Sequence, residues 1–216
     1  MNNIEIELRY EILDLNQLSK FLVSMNYIHK KHDIDIYLDT PQAILYQKGI
    51  FIRIRNNKKL DIKFNRACLD DPCLEIQDYC EEHSFSLPLQ EIDLNKLNNI
   101  LESLNLITIP APNLDLFKLA NNLDIHYIID KKRTSYIHNQ FTLSIDEVFN
   151  LGSFLEIELM AQNIENLAYI KQDMEKLLSN LSLKPLKTGY GTLLLRKNNF
   201  EHYLKGRFIL KEDRAT

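Results

Sequence analysis

The stretch Ile4-Glu5-Ile6-Glu7-Leu8-Arg9-Tyr10 alternates apolar and charged residues. A period of two is the pattern of a β-strand whose two faces meet different surroundings. Glu5, Glu7 and Arg9 share one face, and Ile4, Ile6, Leu8 and Tyr10 share the other. The same arithmetic applied outward sets Arg53 with Arg55 against Ile52 and Ile54, and Asp61 with Lys63 against Ile62 and Phe64. Further along, Lys131 shares a face with Arg133, and Thr142 and Ser144 share one with Asp146. Glu156 and Glu158 oppose Leu155, Ile157 and Leu159. Two glutamates at i and i+2 stand roughly 6.5–7 Å apart along a strand, so their repulsion goes unrewarded unless a cation sits beside them. An ordinary wet sheet face would mix in more neutral and opposite charges, whereas here the signs are segregated. If the sheet closes on itself, these faces converge on a lumen that offers carboxylate oxygens to a hard divalent ion and guanidinium forks to phosphate.

The remaining pattern predicts an α+β protein with a strand majority. Strands are expected at 4–10, 34–38, 50–55, 60–64, 125–137, 141–148 and 154–160, and helices over 15–25, 94–104 and 167–181. A further helix is expected near 193–204, and the charged end from Lys211 is expected to be loose. Turns are expected around Asp70 to Pro72 and Pro110 to Pro112. The reading is a single domain over 1–216, with 88–122 as a helical insertion between two groups of strands. The helical stripe Leu94 to Leu104 reads as core contact or as an oligomer face, which leaves room for a homodimer.

At 216 residues with 45% hydrophobic residues, the chain can bury a sizeable core, and five glycines cannot furnish a collagenous or low-complexity polymer. The 26 Lys and Arg against 30 Asp and Glu leave a net charge of −4, which disfavours non-specific nucleic-acid binding. The start of the chain is acidic and no stretch approaches the ~18 apolar residues of a spanning helix. A cytoplasmic protein without membrane partners is therefore expected. Three cysteines, Cys68, Cys73 and Cys80, fit reduced thiols, and without a Cys-x-x-Cys pair they argue against a zinc site with His83. His29, His32 and Asp33 are expected to be exposed at a helix-to-strand junction, and Tyr37 to pack locally. Neither a P-loop nor a dinucleotide-binding glycine fingerprint is present.

These segments resemble the CYTH superfamily, the triphosphate tunnel metalloenzymes, which includes class IV adenylate cyclases, thiamine triphosphatases and inorganic tripolyphosphatases. Ile4 to Arg9 resembles the family's Glu-x-Glu-x-Lys signature, with arginine in the lysine position. Ile36-Tyr37-Leu38-Asp39-Thr40-Pro41 is similar to its Tyr-Phe-Asp-Thr-Pro turn, and Gly49 to Arg55 to its Gly-x-x-Leu-Arg-Ile-Arg strand. Lys131-Lys132-Arg133 resembles the basic strand, Ile145 to Val148 the aspartate strand, and Gly152 to Glu158 the second acidic pair. Lys187-Thr188-Gly189-Tyr190 is loosely similar to its Lys-Ser-Tyr.

The resemblance implies an antiparallel closed β-tunnel of about eight strands with surrounding helices, whose interior holds a small-molecule triphosphate. Carried over, Glu5, Glu7, Asp146, Glu156 and Glu158 would be ligands of Mg²⁺ or Mn²⁺, with Glu5, Glu7 and Arg9 catalytic. Arg9, Arg53, Arg55, Lys63, Arg133 and Lys187 would bind phosphate. A strand over 74–82 is implied, with Glu75 and Glu81 as further candidates. Arginine at position 9 does not readily give up a proton, so a clamping role suits it better than a base. The leading expectation is a metal-dependent triphosphatase that cleaves the terminal phosphoanhydride of tripolyphosphate, a nucleoside triphosphate or thiamine triphosphate. The alternatives are a class IV adenylate cyclase, making cyclic AMP and pyrophosphate from ATP, and a non-catalytic polyphosphate- or nucleotide-binding module.

Overall fold

The computed structural model describes residues 4–71 and 73–214. Pro72 and the chain's first three and last two residues lie outside that description. In chain order the elements are β1 (Ile4–Ile12), α1 (Leu15–Leu22), β2 (Asn26–Asp39), α2 (Ile44–Lys48), β3 (Phe51–Arg55), β4 (Lys59–Phe64) and α3 (Arg66–Asp70). Then come β5 (Tyr79–Ser86), α4 (Glu91–Ser103), α5 (Leu114–Ala120), β6 (Asp124–His138), β7 (Phe141–Val148) and β8 (Gly152–Ala161). The chain finishes with α6 (Leu167–Leu178), β9 (Leu183–Leu186), α7 (Tyr190–Asn198), α8 (Phe200–Tyr203) and a 3₁₀ turn at Lys211–Asp213.

The strands run in the order β5-β4-β3-β2-β6-β7-β8-β1-β9, and a further β1–β5 pairing closes the first eight into a barrel. All pairings are antiparallel. Closure divides β1 in two: Ile4–Ile6 pair with β5, while Arg9–Ile12 pair with the extra strand β9. Because β9 is an edge strand, its Pro185 costs no ladder hydrogen bond on the open side.

The barrel is inside-out: charges line its interior and its apolar faces point outward beneath helices. Leu18 and Leu22 of α1 and Met174 and Leu178 of α6 pack with Ile6, Leu155 and Ile157. Leu97 and Leu101 of α4 and Phe117 of α5 cover Ile52, Ile54, Leu60 and Ile62. The segment expected to insert between strand groups thus forms part of the barrel's apolar coat. A third cluster joins Tyr46, Tyr127, Phe154, Tyr190 and Tyr203 where α2, α7 and α8 meet the wall. With so few glycines, the tight connections use asparagine. Asn56 and Asn57 link β3 to β4, Asn139 links β6 to β7 and Asn150 links β7 to β8, all at positive φ.

Three expectations are corrected. β2 starts at Asn26 rather than near residue 34, so His29, His32 and Asp33 belong to a strand and not to a junction. Its first half reads His-Lys-Lys-His because Lys30 and His32 project into solvent, and pairing with β6 rather than apolar alternation extends it. Asp33 is buried, within reach of Lys31 and Asn56. The strand expected over 74–82 is found at Tyr79–Ser86, held between β4 and β1. The segment from Lys211, as far as it is described, is tied down through Asp213, which receives hydrogen bonds from Arg196 and from the Tyr203 hydroxyl at 2.6 Å.

Phe117 is fully buried beneath α4 and against the barrel wall. Phe117→Ala is expected to lower unfolding free energy by about 3–5 kcal/mol, read from the urea midpoint at unchanged m-value.

Candidate active site in the barrel lumen

Closing the sheet brings the segregated charges into one cavity of about 350 Å³. Glu5, Glu7 and Arg9 of β1, Arg53 and Arg55 of β3, Lys63 of β4, Arg133 of β6 and Glu156 and Glu158 of β8 all line it. On β1 and β8 the acidic pairs are register neighbours, with Glu7 opposite Glu158 and Arg9 opposite Glu156.

Two networks of ion pairs fill the lumen wall. In the first, Lys63 bridges Glu5 and Glu82, the latter at 3.0 Å. Arg53 reaches Asp61 at 2.9 Å and Glu82 at 3.2 Å, and Arg55 grips Asp35 through Nε and Nη2 at 2.6 and 2.9 Å. In the second, Arg9 contacts Glu7, donates to Glu156 at 2.7 Å and to the Thr188 carbonyl at 3.1 Å, and lies 4.9 Å over the Tyr190 ring. Arg133 pairs with Glu156 and donates Nε to Asp146 at 2.7 Å, and Lys131 reaches Asp146 at 3.1 Å.

Burial makes an unpaired charge costly, so the protonation states follow the pairing. Burial alone would raise Glu5, but Lys63 beside it outweighs that and holds it down at about 2. Glu156 is held well below the usual carboxylate range, because Arg133 and Arg9 overcome its burial. Glu7 goes the other way: burial, aided by Glu156 and Glu5 and only partly opposed by Arg9, pushes it up to about 8. Glu158 is pushed up to about 7 by burial and by Glu5. Glu7 and Glu158 face each other across the β1–β8 register, and among the described residues only Glu7 of these two has a cation, Arg9, in contact.

Two expected site residues stand elsewhere. Asp146 is fully buried and does not line the cavity; it lies behind Lys131 and Arg133 and anchors them. Lys187 is exposed between β9 and α7, outside the lumen. Of the acidic candidates around β5, Glu75 pairs with Arg214 at the surface, and Glu81 turns toward His83 and Arg66. Glu82, opposite Lys63 in the β4–β5 register, is the one that enters the cavity. The lumen also recruits Asp35, Lys131 and Tyr190, while Asp61 is fully buried behind Arg53 and Lys59. Parity already set Asp61 with Lys63 and Lys131 with Arg133, whereas Asp35, Glu82 and Tyr190 depend on register and on α7.

Among the described residues, no three His, Cys, Asp or Glu side chains are gathered closely enough to hold a metal ion as they stand, since the carboxylates are turned to cations. The donor set nonetheless fits a hard divalent ion: the four carboxyls of Glu5, Glu7, Glu156 and Glu158 stand on the adjacent strands β1 and β8 and offer oxygen donors.

A barrel whose closed lumen combines carboxylates with arginines defines a class of anion-handling tunnel proteins. The chain belongs to the CYTH family, whose domain profile matches residues 3–188. Members of that superfamily are mostly enzymes, triphosphatases or cyclases, and its tunnel metalloenzymes use divalent metals. Among solved structures, a Vibrio parahaemolyticus protein named for adenylate cyclase is 18% identical and superposes with a TM-score of 0.59, covering 90% of this chain and 99% of that one. A Pyrococcus horikoshii protein gives 19% identity, the same TM-score of 0.59 and the same coverage, 90% and 99%. A Hippeastrum protein, named for adenylyl cyclase and described with a dominant triphosphatase activity, gives 17% identity and a TM-score of 0.57 over 90% of this chain and 96% of that one. At these identities the likeness is one of fold. A comparison with curated protein sequences finds no match.

The raised values of Glu7 and Glu158 have a definite sign in stability. Above their ordinary value of 4.5 and up to about 8, the folded chain binds more of these protons than the unfolded one. The metal-free protein is therefore expected to lose stability as pH rises from about 6.5 to 8. Thermal midpoints across that window check this, and Glu7→Gln, which carries no ionisable proton, should flatten the slope.

Proposed function

We propose that this protein is a divalent-metal-dependent triphosphatase acting on the terminal phosphoanhydride of tripolyphosphate or of an organic triphosphate. One observation carries the reading: a single closed lumen holds a file of arginine and lysine side chains beside four glutamates, Glu5 and Glu7 of β1 and Glu156 and Glu158 of β8, on neighbouring strands. A lumen built only to bind anions has no use for four clustered glutamates, whereas a metal-loaded phosphate chain gives them an ion to hold.

Arg53, Arg55, Lys63, Lys131 and Arg133 would bind phosphate oxygens, and their partner carboxylates Asp35, Asp61 and Asp146 fix the direction of each fork. Glu5, Glu7, Glu156 and Glu158 would hold Mg²⁺ or Mn²⁺, which when bound neutralises phosphate charge and polarises the phosphoryl group. Occupation of that site releases the protons carried by Glu7 and Glu158, so metal affinity should rise with pH. Arg9, fixed by Glu7, Glu156 and the Thr188 carbonyl, acts as a clamp and not as a base. The forks then stabilise charge on the departing phosphate, and the enclosing barrel orients the chain for in-line attack by water.

Incubation with Mg²⁺ or Mn²⁺ and a panel of tripolyphosphate, ATP and thiamine triphosphate tests this reading. Orthophosphate release is expected. Cyclic AMP with pyrophosphate would assign a cyclase instead, and tight binding without turnover a binding module. Glu158→Gln is expected to lower turnover by at least 100-fold while the folded signal by circular dichroism is kept. Undiminished phosphate release from that variant would remove the metal assignment.

A further inference from the structure

Two histidines meet where α8 joins the barrel wall at β6, and neither lines the lumen. Nε2 of His126 stands 2.6 Å from Nε2 of His202, although 76 positions separate them in the chain. The Asp39 carboxylate lies 3.6 Å from the other ring nitrogen of His126. That carboxylate is itself fixed by the backbone N–H groups of Thr40, Leu45 and Tyr46 at 2.7, 2.9 and 2.8 Å. The Tyr46 ring packs against both imidazoles, edge-on to His126 at 5.5 Å and parallel to His202 at 6.4 Å. Burial and the neighbouring His202 push His126 down to about 4. Burial and Lys205 lower His202 against the pull of Asp39, so both rings are neutral at pH 7 and keep a lone pair.

We propose that His126 and His202 form a binding site for a transition-metal ion of the Zn²⁺ class, held through the two Nε2 atoms, with Asp39 as the carboxylate that orients His126. A carboxylate behind one ring nitrogen favours the proton there and leaves the opposite nitrogen with its lone pair, the arrangement that metal-ligating imidazoles recurrently show. Without metal, the Nε2–H of His202 donates to that lone pair. With metal, the His202 proton moves to Nδ1 and both Nε2 atoms ligate, so no proton is lost. Zn–N bonds of about 2.0–2.1 Å set two such nitrogens roughly 3.3 Å apart on a tetrahedral ion, so the rings need to part by less than about 1 Å. His202 sits on α8, a helix of only four residues, which can supply that movement. No third His, Cys, Asp or Glu is gathered there among the described residues, and water would fill the other positions. Nitrogen donors select Zn²⁺, Ni²⁺ or Cu²⁺ over the Mg²⁺ that suits the lumen carboxylates. The CYTH match ends at residue 188, so His202 lies beyond the matched domain, and a bound ion would clamp this C-terminal segment to the barrel.

Electron paramagnetic resonance with one equivalent of Cu²⁺, the ion of this group that imidazole binds most tightly, tests the site. The wild type is expected to show coupling to two imidazole nitrogens. His202→Gln should lose that two-nitrogen pattern and bind Cu²⁺ at least about tenfold more weakly. Glu158→Gln, altered only in the lumen, should keep the pattern, which separates this site from the proposed lumen metal. In the wild type, one equivalent of diamagnetic Zn²⁺ should also move the Nε2 resonances of His126 and His202 together, a readout that needs no variant. Resonances that stay in place, a two-nitrogen pattern that survives in His202→Gln or is lost in Glu158→Gln, or ligation of Cu²⁺ by oxygen alone in the wild type overturns the proposal.

Discussion

An ionised group taken out of water must meet a partner or give up its charge, and that constraint organises this barrel. Arg53 is held by Asp61, Glu82 and Asp35, and Arg133 by Asp146 and Glu156. Such ladders of alternating sign fix each guanidinium fork in advance and leave it little freedom to reorganise. The same constraint raises Glu7 and Glu158, where burial and the neighbouring carboxylates outweigh the cations around them.

The fold can carry a charged interior because its apolar faces point outward and are covered. Isoleucines and leucines of β1, β3, β4 and β8 pack under α1, α4, α5 and α6, so the hydrophobic core forms a coat around the barrel rather than its centre. The stability of the coat and the chemistry of the lumen are thus assigned to opposite faces of the same strands. A core substitution such as one at Phe117 weakens the coat without touching a lumen group, and a lumen substitution changes charge without opening a cavity in the core.

Asp146 and Lys187 show how a residue's role depends on depth as well as side. Both carry a charge of the right sign for the site, but Asp146 is sealed behind Lys131 and Arg133 and Lys187 stands outside the wall. The lumen-facing part of the 187–190 segment is instead the start of α7. A buried tyrosine looks unremarkable in a linear reading; its meaning comes from what the helix end faces.

The sequence alone determined the alternation that splits each strand into charged and apolar faces, because backbone pleating is local and has a fixed period. From it followed the lumen residues of β1, β3 and β8, whose charges are strictly alternate: Glu5, Glu7 and Arg9; Arg53 and Arg55; Glu156 and Glu158. Only the tertiary structure decided which of Glu75, Glu81 and Glu82 enters the lumen, since a one-residue change of register exchanges the two faces of β5. It also decided the length of β2, whose solvent-facing half carries no apolar pattern, and the recruitment of Tyr190 by α7. Those features arise from pairing and packing between segments far apart in the chain, which local periodicity does not encode.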